Sequence, residues 1–224
     1  MNNKIAFLTT IFPTEKSYLD AFFESLVNQT CHHFDIVVVN DGYTKFSKIK
    51  SKYKTLSIIE LPYEDSPAKN REHGINFCIE NNYDVLVFGD SDDYFSINRI
   101  EKSLELLANY DIVVNDLSLF DVNGVYESCY FSNRIDNNSE IDYSFITDKN
   151  IFGLSNTAIN LRITNKVSFA KNLTVLDWFF YKKLLSEGNS SIFTNETETY
   201  YRQYENNTAG LDSSNGKYPL WWEK

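Results

Sequence analysis

Four short apolar runs alternate with amphipathic stretches through the first 110 residues, and this alternation limits the fold more than any other feature of the chain. Lys4–Thr9, Asp35–Asn40 (DIVVVN), Thr55–Glu60 and Tyr83–Gly89 (YDVLVFG) read as strands. Each is short and nearly continuous in apolar character, as expected of a strand covered on both faces. Between them, Glu15–Asn28 carries Leu19, Phe22, Phe23, Leu26 and Val27 on one helical face, and Pro67–Asn81 reads as a helix with proline in its first turn. Ile97–Ala108 continues the series with Ile100, Leu104 and Leu107 on one face. A βαβαβαβ order of this kind builds an α/β fold, a mostly parallel sheet with helices on both sides.

The second half changes character. Asp111–Asn115 reads as a strand, and Leu117–Phe131 as a hairpin turning at Asn123-Gly124. Ser132–Asn150 is polar and irregular, and is expected to be a mobile loop. A strand over Thr157–Ile163 and a helix over Leu176–Ser186, with Gly188 as its C-terminal cap, complete the regular elements. From Tyr200 onward no regular structure is expected. Without repeats or a break in composition, the reading is one domain over 1–224, with halves 1–110 and 111–224.

Composition narrows the function classes. A net charge of -10 excludes a nucleic-acid binder, which needs a basic face to neutralise phosphates. The apolar run before Pro13 is too short for a signal peptide or a spanning helix, so a cytoplasmic location is expected. Cys31, Cys78 and Cys129 are odd in number and lack metal-site spacing, which reads as reduced thiols.

The chemistry concentrates at Phe88-Gly89-Asp90-Ser91-Asp92-Asp93, where an apolar strand runs directly into three carboxylates within four positions. Clustered carboxylates repel one another unless a cation or hydrogen bonds hold them. The carboxyl edge of a parallel sheet is also where ligands bind. By residue type alone, a divalent-metal site and an acidic turn or helix cap stay equally open. A calcium loop of the EF-hand kind does not fit, because Tyr94 and Phe95 stand where an oxygen ligand and glycine are required.

The order and spacing of several strings together resemble the family 2 glycosyltransferases of GT-A fold. Asp90-Ser91-Asp92 matches that family's Asp-x-Asp motif. VVVNDGYT at 37–44 resembles its strand ending in an acidic pair, with Asn40 in the first acidic position. SPAKNREHGI at 66–75 resembles its Ala-Arg-Asn-x-Gly segment, with Lys69 in the arginine position. LDWFFYKKLLSEG at 176–188 resembles the helix start that supplies the catalytic base, and Tyr204 in YRQYENN stands where the family often has histidine.

The resemblance implies an enzyme that moves a sugar from a nucleotide-sugar donor, by preference a uridine diphosphate sugar, to a saccharide or lipid-linked saccharide in bacterial surface-polysaccharide synthesis. Inversion at the anomeric carbon is implied, and a lipid-linked acceptor would bring peripheral membrane association with it. Asp177 would be the general base, and Asp92 would hold Mn²⁺ or Mg²⁺ against the diphosphate. Thr10, Asp41, Lys69 and Asp90 would line the donor: Asp41 on a pyrimidine imide N–H, Lys69 on ribose or diphosphate, Asp90 on ribose hydroxyls. Taken alone, Thr174-x-x-Asp177 reads as a helix-capping arrangement, and Trp178 as an acceptor wall or a core residue. The rival readings are a nucleotidyltransferase, against which the absence of glycine in TTIFPTEK argues, and a nucleotide-sugar-binding module without turnover.

Overall fold

The computed structural model describes residues 3–204. The apolar runs form β1 (Ile5–Ile11), β2 (Asp35–Asn40), β3 (Ser57–Pro62) and β4 (Val85–Phe88), parallel to one another in the order β3-β2-β1-β4. The sheet continues past β4 as a mixed half. It holds β5 (Tyr94–Phe95), β6 (Ile112–Asp121), β7 (Gly124–Glu127), β8 (Thr157–Asn160) and β9 (Ser191–Arg202), in the order β4-β8-β6-β9-β5 with β7 on β6. Here β8 runs antiparallel to β4 and β6, while β9 runs parallel to β6. A helix-flanked α/β sheet is therefore present, as the alternation implied.

The period of two along each strand sorts side chains onto two cores. Ala6, Leu8, Val37, Val39, Leu86 and Phe88 face one side, under α3 (Pro67–Glu80) and α5 (Leu176–Ser186). Phe7, Ile36, Val38, Val85 and Val87 face the other, under α1 (Lys16–Val27) and α4 (Arg99–Leu107). In α1 the buried residues Leu19, Phe22, Phe23 and Leu26 follow helical spacing, and Phe22 meets Phe7 edge-on with ring centroids 5.8 Å apart. Burying one such ring or aliphatic chain contributes roughly 1.5–3 kcal/mol, so each face is held by many residues and no single contact.

Two elements that the sequence reading did not anticipate are present, and the expectations for Ser132–Asn150 and for the tail from Tyr200 are corrected. A helix, α2 (Phe46–Lys52), forms where none is evident from the sequence, since only Phe46 and Ile49 of its lysine-rich run are buried. Ser132–Asn150 is not a free loop. Ile135, Ile141 and Ile146 are buried, Ile141 N–H donates to Ser191 O at 3.1 Å, and Phe193 N–H donates to Ser139 O at 2.9 Å. Its isoleucines follow neither helical nor strand periodicity, so their burial leaves no pattern in the sequence. The long strand β9 was also missed, because its inward positions include the polar Thr197 and Thr199, both buried. Tyr200–Arg202 complete that strand and Gln203 and Tyr204 follow it, whereas residues 205–224, with Trp221-Trp222, lie outside the described residues.

Candidate active site

The carboxyl ends of β1, β2 and β4 open onto one edge of the sheet, and the turns there carry most of the polar residues singled out from the sequence. After β2, Asp41 N–H donates to Ile11 O at 2.7 Å, closing the chain onto the end of β1. Gly42 then takes φ of +78°, which a side chain rarely tolerates and glycine adopts freely. The Asp41 carboxylate accepts from Asn70 Nδ2 at 2.8 Å. Asn40, the other half of the pair, is spent within the turn: its Oδ1 accepts from Tyr43 N–H at 2.8 Å and its Nδ2 donates to Glu60 at 2.7 Å.

After β4, the acidic turn divides by role. Asp93 is buried and accepts from Ser155 Oγ and, at 2.8 Å, from Arg202 N–H, so it ties the turn to the second half of the sheet. Burial, followed by the charges of Asp92 and Asp90, pushes its carboxyl well above the usual range. Asp90 and Asp92 remain partly open. Asp90 accepts from Arg71 Nη2, and its own N–H donates to Ser155 Oγ at 3.2 Å. Asp92 accepts from Tyr204 Oη at 2.9 Å, and its backbone oxygen accepts from Arg202 Nε at 2.7 Å. Burial and then the charge of Asp90 raise the Asp92 carboxyl. Ser91 completes the turn by donating to Thr10 O at 2.9 Å, and the buried Thr10 hydroxyl has no hydrogen-bond partner among the described residues.

Asp177 lies on the first turn of α5, where the positive end of the helix favours a carboxylate. No side chain caps this helix, so the Thr174 arrangement is not a capping box; Asp177 accepts from Trp178 N–H at 2.8 Å. Burial is the main effect that pushes the Asp177 carboxyl up to about 7; the Asp90 charge adds to it, while the Trp178 N–H and Arg71 oppose it. Trp178 itself donates through Nε1 to Ile146 O at 2.7 Å and is half-buried.

Thr10, Asp41, Asp90, Asp92 and Asp177 thus gather at one edge. Lys69 does not join them, since its ammonium pairs with Glu72 at 2.7 Å. Arg71 is the cation of α3 that reaches the aspartates, and nothing in the polar run AKNRE distinguished it beforehand. Tyr201 was missed as well. Burial and then the charges of Asp93, Asp90, Asp92 and Asp177 hold its phenol well above the ordinary range, which marks it as lying among all four carboxylates. Arg99, wholly buried beneath the turn, donates to Phe88 O at 3.1 Å and lies over the Phe95 ring at 5.0 Å. Burial lowers its pKa to about 9.

Among the described residues no group of three His, Cys, Asp or Glu converges into a protein-only cage. That does not disqualify Mg²⁺ or Mn²⁺: Mg²⁺ commonly takes one or two carboxylates and completes its shell with phosphate and water, and carboxylate, carbonyl and water oxygens also suit Mn²⁺. The negative charge of Asp90 beside a half-buried Asp92 is what a cation would relieve, so the donor set fits such an ion.

The model of glycosyl transferase family 2 matches residues 10–168. A protein of Haemophilus influenzae described as an uncharacterized glycosyltransferase is 23% identical over 195 residues, covering 83% of this chain and 74% of its own. A glycosyltransferase of Rickettsia bellii is 30% identical over 99 residues, 42% of this chain and 14% of its own. Among solved structures, S. aureus TarS 1-349 in complex with UDP-GlcNAc superimposes with a TM-score of 0.70 at 17% identity, covering 92% of this chain and 60% of that one. GalNAc-T7 with UDP, GalNAc and Mn²⁺ gives a TM-score of 0.66 at 10% identity, covering 91% and 44%. The fold is that of the GT-A glycosyltransferases, and the chain spans about 60% of the length of the TarS fragment.

Proposed function

The chain belongs to glycosyl transferase family 2, and from that footing we propose that it transfers a sugar, with inversion, from a uridine diphosphate sugar to a saccharide or lipid-linked saccharide hydroxyl. The observation that carries this reading is Asp177: it feels the charge of Asp90, and its carboxyl is poised at about 7. A general base is most effective with a pKa near the working pH. The preference for uridine is supported by TarS, whose fold this chain shares and which was solved with UDP-GlcNAc and with UDP. A role in bacterial surface-polysaccharide synthesis, at the inner face of the membrane, follows from the sequence resemblance. Among the described residues no helix is long and apolar enough to cross a membrane.

In this reading Asp41, oriented by Asn70, accepts the uracil imide N–H, and Asp90, held by Arg71, receives ribose hydroxyls. The buried Thr10 hydroxyl, without a partner among the described residues, supplies a hydrogen bond on the donor side. Arg71 is better supported than Lys69 as the cation nearest the diphosphate, because Lys69 is committed to Glu72. Asp92 is the residue that would hold Mn²⁺ or Mg²⁺, whose chemistry there would be to offset negative charge on the leaving diphosphate. Asp177 takes the proton of the acceptor hydroxyl as that oxygen bonds to the anomeric carbon. The electron pair of the breaking carbon–oxygen bond leaves with uridine diphosphate, from the opposite face.

The test is release of uridine diphosphate from a panel of uridine diphosphate sugars with saccharide acceptors, comparing the native chain with Asp177→Asn. Loss of a general base costs about 10²–10⁴-fold in rate. A variant that binds uridine diphosphate normally and turns over at the native rate removes Asp177 from the mechanism. No turnover by the native chain with any donor favours the reading of a binding module.

A further inference from the structure

The end of β9 is fastened onto the acidic turn by three contacts from neighbouring residues. Arg202 donates from its backbone N–H to Asp93 Oδ1 at 2.8 Å and from Nε to Asp92 O at 2.7 Å. Its guanidinium is clasped over the rings of Tyr18, at 4.0 Å, and Phe120, at 4.4 Å. Two residues on, Tyr204 stacks against Tyr18 with ring centroids 6.4 Å apart and donates its hydroxyl to Asp92 Oδ2 at 2.9 Å. Residues 112 positions apart in sequence are thereby joined through one of the two oxygens of a single carboxylate.

We propose that Tyr204 is a positioning residue for the metal-binding carboxylate: by occupying Asp92 Oδ2 it fixes the rotation of the group and leaves Oδ1 to face the cation and the diphosphate. This rests on reading Asp92 as the metal ligand. A neutral phenol at physiological pH donates a hydrogen bond more readily than it ligates a divalent ion, because a ligand oxygen of this kind must first lose its proton. A carboxylate pinned at one oxygen reaches the ion without first losing rotational freedom, and removing such outer partners of a metal ligand typically weakens binding by about 10–100-fold. At 41% exposed, Tyr204 contributes little to the core, so the isosteric loss of its hydroxyl leaves the fold standing.

The experiment titrates Mn²⁺ in the presence of uridine diphosphate into native chain, Tyr204→Phe, Tyr204→His and Asp92→Asn. Bound and free ion are read by electron paramagnetic resonance, with melting temperature and chelator-treated uridine diphosphate binding measured alongside. Tyr204→Phe is expected to weaken Mn²⁺ by about 10–100-fold while both accompanying measurements stay at native values. Tyr204→His, which restores an N–H donor, should recover most of the affinity. Native or tighter Mn²⁺ binding by Tyr204→Phe, with Asp92→Asn losing the ion, overturns the positioning role and leaves the metal assignment intact. Equal weakness of the Phe and His variants also overturns it. If Asp92→Asn binds Mn²⁺ as the native chain does, the metal assignment fails and the role of Tyr204 fails with it.

Discussion

Arg71, on the second turn of α3, donates to the carboxylate of Asp90 on the turn after β4, so one guanidinium links the helix to the acidic loop. The side chains are 13% and 30% exposed, enough burial for the pair to outweigh an ordinary surface contact. The other terminal nitrogen of Arg71, Nη1, is buried without a partner among the described residues, and Arg71 lowers the proton affinity of Asp177 as well.

Replacing Arg71 by Met should leave Asp90 unpaired, destabilise the fold by about 1–3 kcal/mol and weaken uridine diphosphate binding by roughly tenfold. Arg71→Lys should recover only part of this, since an ammonium lacks the planar fork. Lys69→Ala serves as the contrast, with donor affinity held within about threefold. Calorimetry decides, and equal losses in the Lys69 and Arg71 variants would contradict the geometry.

The raised carboxyl of Asp177 makes two pH-dependent predictions. Turnover should fall about tenfold per unit as pH drops below about 7, because the base becomes protonated. For stability the sign is opposite to that of a salt-bridged aspartate. An unfolded aspartate titrates near 3.9, so between about 4 and 7 the native state holds the extra proton and the stability contributed by this group is lost as pH rises. Asp177→Asn removes that dependence. Its stability relative to the native chain should therefore climb from pH 4 to pH 8, and urea melts showing a constant difference would refute the burial of this group.

Asn70 is buried and orients Asp41 through a 2.8 Å hydrogen bond. Asn70→Ala should loosen Asp41 and reduce the preference for uridine over cytidine diphosphate, while Asp41→Asn, which keeps the shape but can present a donor, should reduce it further, by about tenfold. Competition binding with the two nucleotides measures the ratio. An unchanged ratio in both variants would remove Asp41 from base recognition.

Gly74 marks where α3 comes closest to the sheet. A Cβ built there would lie 2.6 Å from Leu8 Cδ1 and 3.0 Å from Val39 Cγ2. Gly74→Ala should push the helix outward, destabilise the chain by about 1–3 kcal/mol and lower donor affinity through the displaced Asn70 and Arg71. Thermal melts and nucleotide titration test this together. A loss of stability with unchanged affinity would show that the helix moves without disturbing the site.

The first half of the fold was legible because its information is local. Strand runs such as DIVVVN and the spacing of Leu19, Phe22, Phe23 and Leu26 state their own periodicity, and the acidic turn at Asp90-Ser91-Asp92 lies where a strand visibly ends. What the residues are paired with was not local. That Asp93 is a buried tie to Ser155 and Arg202, while Asp90 and Asp92 stay open, depends on partners 62 and 109 positions from Asp93. That Arg71 and not Lys69 faces the aspartates depends on which side of α3 lies against the sheet, and neighbouring polar residues on a helix carry no mark of it. Sequence determined which elements form and where the acidic turn falls, because periodicity and turn chemistry act within a few residues. Tertiary structure alone decided which oxygen meets which donor, because hydrogen bonds between distant strands depend on how the sheet is assembled.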